Sequence, residues 1–221
     1  MGFGALVRPH VTINCAMSAD GKIGFVTRRQ AKISGEEDLR RVHKLRASSD
    51  AIVVGIGTVL ADDPKLTVKP EYAKGRNPIR VILDSKGRTP SDSHVLDGKA
   101  PSIIFTNRRC NRTFQNAEVI RCGDALVDLA GALGVLSKRG VKKVLVEGGE
   151  AVIWSFLREG LADDLRIFIG SLILGGKGGP TLAGGSGVTR IDDAIPLKLR
   201  RLRKIGNGAL LEYVPARSLK R

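Results

Sequence analysis

The sequence predicts an α/β fold with a mostly parallel central sheet, flanking helices and a C-terminal antiparallel hairpin. Three observations predict it. Apolar strand-like runs alternate with helical stretches. Four of the runs end in glycine, hydroxyl or charged residues, after Val54, Leu83, Thr106 and Val146. Ligands of open α/β sheets sit beyond such carboxyl ends. Finally, Leu197 to Ile205 and Ala209 to Val214 flank a Gly206-Asn207-Gly208 turn, a hairpin signal.

Val11 to Met17 reads as the first strand and leads into the loop Ser18-Ala19-Asp20-Gly21-Lys22. Ser34-Gly35-Glu36-Glu37 has capping-box spacing. Leu39, Val42 and Leu45 then recur at helical period, so a helix runs to about Ser48. Ala51 to Val54 is a buried strand ending in a Gly55-Ile56-Gly57 turn. Ile79 to Leu83 and Ser102 to Thr106 are further strands, and Leu126 to Arg139 is a helix. Val144-Leu145-Val146 is a short strand running into Glu147-Gly148-Gly149. Val152, Ile153, Phe156 and Leu157 mark one face of the next helix. Leu165 to Ile169 is a strand, and Leu174 to Thr189 a glycine-rich loop that packs or moves. With no linker or repeat, residues 1–221 read as one domain.

Composition narrows the class. Three cysteines, Cys15, Cys110 and Cys122, show no C-x-x-C spacing and suggest neither a disulfide framework nor a zinc site. No leader or spanning run is visible, so a cytoplasmic protein without membrane contact is expected. The 37 Lys and Arg against 22 Asp and Glu give a net charge of +15. That charge fits nucleic acid or phosphorylated small ligands. Aromatics at 4% leave few stacking platforms, and no nucleic-acid motif appears, so small phosphorylated ligands are favoured.

Two loops carry the chemistry. In Glu147-Gly148-Gly149-Glu150, glycines between strand and helix leave free N–H groups at a helix start, a setting for phosphate or for a plain tight turn. Glu147, directly after a buried strand, needs a partner or ligand. In Gly57-Thr58-Val59-Leu60-Ala61-Asp62-Asp63-Pro64, two carboxylates follow a strand end. Asp63 is read as capping its own turn. Gly55-Ile56-Gly57-Thr58-Val59-Leu60 lacks the third glycine of a dinucleotide fingerprint, so an ordinary Rossmann fold is rejected. His10, His43 and His94 are isolated, with His43 expected at the surface. The run Lys198, Arg200, Arg201, Arg203, Lys204 reads as an exposed edge strand.

Five ordered blocks resemble the pyrimidine reductases of the riboflavin pathway, whose fold is like that of dihydrofolate reductase. They are Met17 to Lys22, Leu45-Arg46-Ala47, Gly57 to Pro64 with Leu66-Thr67-Val68, Arg80 to Ser85, and Leu145 to Gly149. The zinc-deaminase signature that often precedes this domain in bacteria is absent, so the chain resembles the stand-alone archaeal type. That resemblance implies reduction of 2,5-diamino-6-(ribosylamino)-4(3H)-pyrimidinone 5′-phosphate to its ribityl product with NADPH or NADH, no metal, and a homodimer. It places Ala16, Thr58, Asp62, Ser85, Gly148, Gly149, Glu150 and Ala151 at cofactor-contacting positions. Arg46, Leu66, Lys69 and Glu147 fall at substrate-contacting positions, with Glu147 the candidate catalytic residue. Arg46 and Lys69 suit the 5′-phosphate. Asn14 departs from the bacterial pattern, which has a lysine there. Separately, Arg108 and Arg109 end a strand near Lys86 and Arg88, where cations would recognise the 2′-phosphate of NADPH. Two other readings stay open: a reductase of another pterin or pyrimidine, and a basic nucleic-acid-binding module.

Overall fold

The computed structural model describes residues 8–216. Among them nine strands form one sheet. They are β1 (His10–Ser18), β2 (Ala51–Gly55), β3 (Ile79–Leu83), β4 (Ser102–Thr106), β5 (Glu118–Arg121), β6 (Lys143–Val146), β7 (Asp164–Gly170), β8 (Leu197–Ile205) and β9 (Gly208–Pro215). The order is β5-β4-β3-β2-β6-β1-β7-β9-β8. The first seven strands pair in parallel, and β9 joins β7 and β8 antiparallel. The carboxyl ends of β1 to β7 therefore share one edge.

Four helices flank the sheet: α1 (Glu36–Ala47), α2 (Ile56–Asp62), α3 (Leu129–Lys138) and α4 (Glu150–Arg158). One core lies between α3, α4 and the sheet, built on Ile13, Val53, Phe105, Leu133, Val146 and Phe156. The second lies on the other face, where Ile52, Val54, Ile82 and Leu145 meet Val59 and Leu66. Every residue of β2 is buried, as expected of a parallel strand covered on both faces. Buried Arg80 donates to Ser102 Oγ, His94 O, Asp97 Oδ1 and Ala100 O, tying the segment after β3 back beneath it.

Several local expectations are corrected. Gly35 is the N-cap residue of α1 and offers no side-chain cap; Ser34 Oγ instead donates to Asp38 Oδ2. Its apolar stripe does not decide its facing. Leu39 is exposed, whereas Asp38 and His43 are buried, and Arg41 bridges Asp38 Oδ1 and Asn14 Oδ1. A polar network thus holds α1 to β1. The Gly55-Ile56-Gly57 turn is the start of α2. A Cβ on Gly55 would meet Val152 Cγ2 at 2.7 Å, so glycine lets α4 pack there. α3 starts at Leu129, three residues later than expected, because Asp128 caps it through Gly131 N–H. β5 carries no strand signal in the sequence. The basic run does lie in the edge strand, β8, and Gly208 sits so close to Phe168 that no side chain fits there.

Candidate active site

At the end of β6, Glu147 N–H donates to Val53 O on β2, which fixes the residue beside the neighbouring strand. Arg46, near the end of α1, reaches it with two parallel bonds. Nε donates to Oε1 at 2.9 Å and Nη2 to Oε2 at 2.6 Å. The side chains are 18% and 11% exposed. Burial opposes the Arg46 charge, but the Glu147 carboxylate outweighs it and raises the guanidinium pKa further. Arg46 Nη1 donates to Thr67 O, so the pair also anchors the segment after α2. Leu66 lies in that segment with φ of 50°, a left-handed conformation unusual for leucine. Its side chain is buried in the core, so what it offers the crevice is main chain.

His43, one helical turn before Arg46, faces the same cluster. It is 4% exposed, and its Nδ1 accepts the Lys69 N–H at 3.1 Å. Burial and then the Arg46 charge press its pKa down to about 4. Tyr72 stacks on it with ring centroids 5.1 Å apart. Cys15, buried on β1, has its thiol pushed up to about 12 by burial and then by the Glu147 charge.

Beside this cluster lies a glycine cradle. Gly148 has φ of 106°, and its carbonyl accepts Gly55 N–H. Gly149 precedes α4, whose first turn has no side-chain cap, and the Gly148–Gly149 peptide is cis. A Cβ on Gly149 would stand 3.3 Å from Thr58 Oγ1. Thr58, Gly148, Gly149, Glu150 and Ala151 therefore come together at the ends of β2 and β6. The Glu150 side chain is engaged elsewhere, by Arg28 Nη1 and Thr181 N–H, each at 3.0 Å. It thereby ties the glycine-rich loop and the loop after β1 to α4. Asp20 ties them a second time by accepting Leu174 and Gly175 N–H. Bonds from Ser18 and then from those amides hold its pKa at about 2. The glycine-rich loop is thus packed at both anchor points.

Asp62 and Asp63 diverge. Asp62 Oδ1 accepts Gln30 N–H, and burial raises its pKa. Asp63, read as capping its own turn, instead accepts His94 N–H, and its Oδ2 lies 2.6 Å from the His94 ring Nδ1. His10, His43 and His94 each have a polar partner, and His43 is buried rather than at the surface. Ala16 is half-buried on β1, opposite Phe168 of β7. Lys69 is exposed.

Further along the edge, Ser85 O accepts Asn107 N–H and Ser85 Oγ accepts Val127 N–H, which brings the ends of β3 and β4 together. Arg108 and Arg109 follow there, both exposed, and Arg108 pairs with exposed Asp124 at 2.8 Å. Asp84 Oδ1 and Thr106 Oγ1 at these strand ends are buried without a hydrogen-bond partner, a signal that strand-end position alone does not reveal. His43 and Tyr72 were equally unmarked, although the i, i+3 spacing of His43 and Arg46 places them on one helix face. Among the described residues no cluster of His, Cys, Asp or Glu could hold a metal, and no helix is long and apolar enough to cross a membrane.

The chain matches the RibD C-terminal domain over residues 9–211. It is 44% identical to the 2,5-diamino-6-ribosylamino-4(3H)-pyrimidinone 5′-phosphate reductase of Methanothermobacter thermautotrophicus, across 94% of this chain and 98% of that one. Among solved structures it is similar to the diaminohydroxyphosphoribosylaminopyrimidine deaminase/5-amino-6-(5-phosphoribosylamino)uracil reductase of Thermotoga maritima. Identity there is 31% and the TM-score 0.80, over 95% of this chain but 57% of that longer one. Dihydrofolate reductase of Enterococcus faecalis, 11% identical with a TM-score of 0.55 over 93% of this chain and 96% of that one, shares the fold.

Proposed function

Because the chain belongs to the RibD C-terminal domain family, we propose that it reduces the ribosyl group of 2,5-diamino-6-(ribosylamino)-4(3H)-pyrimidinone 5′-phosphate to ribityl in riboflavin biosynthesis. Family membership decides for a reductase over a nucleic-acid module. The observation that carries the site assignment is the bidentate Arg46–Glu147 pair set beside the Gly148-Gly149 cradle.

The residues fit a reduced nicotinamide cofactor. Gly149 leaves room that a Cβ would take, and the uncapped first turn of α4 suits a pyrophosphate. Thr58, Asp62, Ser85, Gly148, Gly149, Glu150 and Ala151 would hold it, with Ala16 beside them. When bound, the nicotinamide supplies the hydride that C1′ gains once the ribosylamine has opened to an imine. Glu147 accepts from the aminopyrimidine and relays to the imine nitrogen the proton that solvent supplies as C1′ gains the hydride. Arg46 keeps that carboxylate in one orientation, and Leu66 offers main chain to the substrate. Lys69 meets the 5′-phosphate. Arg108 and Arg109 favour NADPH over NADH by their charge.

The chain acts as a homodimer in this reading. Leu197, Leu199 and Leu202 of the edge strand are 40%, 48% and 62% exposed, an apolar face that a second copy would cover. Sedimentation at micromolar concentration should give a dimer mass. The activity is tested by following NADPH absorbance. Oxidation should begin only when the phosphorylated ribosylaminopyrimidine is added, and turnover of dihydrofolate in its place would overturn the assignment.

A further inference from the structure

We propose that His43 is a positioning residue that makes the enzyme selective for a phosphorylated substrate, by holding Lys69 at the mouth of the Arg46–Glu147 crevice. The inference rests on the function proposed above and goes one step into its specificity.

Two cations at this end of the crevice suit a phosphate by charge, but the structure treats them differently. Arg46 directs Nε and Nη2 to Glu147 and Nη1 to Thr67 O, so three of its five N–H donors are used inside the protein and its charge is balanced by a carboxylate. Lys69 is exposed, and its ammonium lies over the Tyr72 ring, 5.7 Å from the centroid. No ion pair to a carboxylate ties it down among the described residues. Of the two, Lys69 is thus the cation whose charge no carboxylate balances, and the one that suits a phosphate.

What places Lys69 is His43. The backbone of Lys69 is pinned to α1 by the bond from its N–H to His43 Nδ1. The following turn, in which Tyr72 and Ala73 N–H both donate to Lys69 O, lays Tyr72 flat on the same imidazole at an interplanar angle of 26°. One ring therefore supports Lys69 twice, by its lone pair and by its face. Accepting at Nδ1 requires that lone pair to be free, which places the ring proton on Nε2. Burial and the Arg46 charge keep the imidazole neutral in the physiological range and so keep the acceptor available. His43 also stands one helical turn from Arg46, so the helix that orients the Glu147 carboxylate also sets where the ammonium stands.

The test compares kcat/KM for the 5′-phosphate substrate and its dephosphorylated counterpart. His43→Phe keeps a ring for Tyr72 to stack on and removes the acceptor. His43→Asn keeps an acceptor near the Nδ1 position. Unmodified enzyme should prefer the phosphorylated substrate. His43→Phe should lower that preference about tenfold, the loss of one oriented contact, and His43→Asn should restore most of it. Lys69→Met should lower it comparably, and the His43→Phe/Lys69→Met double variant should add little to Lys69→Met alone. Equal losses on both substrates would show that His43 only supports the fold, and independent, additive losses would show that it does not act through Lys69; either result overturns the inference. Failure of the unmodified enzyme to turn over either substrate would instead overturn the assigned reaction, and this inference with it.

Discussion

The two ends of the strand-edge crevice hold their charges in opposite ways. At the end of β6, Arg46 and Glu147 are 18% and 11% exposed and locked by two parallel bonds. At the ends of β3 and β4, Arg108 and Asp124 are 70% and 79% exposed and joined by one. A buried pair must be geometrically complete, because an unpaired charge there is costly. An exposed pair contributes little to stability and can rearrange around a ligand. On the function proposed above, the first end would hold a substrate rigidly and the second would adjust around a cofactor's outer phosphate.

The difference can be broken most forcefully at Glu147. Glu147→Gln should lower kcat/KM by roughly 100-fold or more while leaving cofactor affinity nearly intact. Near-normal kinetics would reduce Glu147 to a structural partner of Arg46. The same end should be fragile as a fold. Arg46→Ala strands the carboxylate and should cost about 3–5 kcal/mol in urea unfolding. A cost below 1 kcal/mol would mean that water already reaches the pair.

The exposed end should behave the other way. Replacing Arg108 and Arg109 by alanine should raise the KM for NADPH by tens of fold, about 2 kcal/mol. Stability should stay within about 0.5 kcal/mol of the unmodified protein. Equal losses with NADH would remove these arginines from 2′-phosphate recognition.

The smallest expected effect sharpens the buried end. The His43 pKa falls from an ordinary 6.5 to about 4 in the folded chain, because burial and then Arg46 disfavour its charge. As pH falls, the unfolded chain takes up this proton before the folded one does. The contribution of neutral His43 is full above about 6.5 and is lost as pH falls toward about 4. The urea midpoint should thus be lower at pH 5 than at pH 7, and His43→Asn should flatten that part of the profile. An unchanged slope in the variant would assign the loss to other groups.

The same contrast explains what could be read in the sequence. Strands such as Ala51 to Val54 and the Gly206-Asn207-Gly208 hairpin are legible because apolar runs and turn residues act locally. β5 is not, since Glu118–Arg121 is four residues long with two charges. α2 hides behind Gly55 and Gly57, which read as a turn until Val152 is seen to need the space at Gly55. α1 is legible as a helix but not in its facing: the Leu39-Val42-Leu45 stripe competes with a polar face that long-range partners, Asn14 and Glu147, draw inward. Glu147 stands out because an acid directly after a buried strand needs a partner. His43 does not, because its partners Lys69 and Tyr72 lie 26 and more residues away. Loop anchors such as Glu150 to Thr181 are invisible for the same reason.

Reduction at C1′ of a ribosylaminopyrimidine phosphate in this crevice can be followed by turnover with nicotinamide cofactors carrying deuterium at C4, on each face in turn. One of the two labelled cofactors should deliver deuterium to C1′ of a ribityl product, seen by mass spectrometry and NMR. Cofactor oxidation that leaves C1′ unlabelled with both, or that leaves the ribosyl group intact, would contradict the proposed reaction.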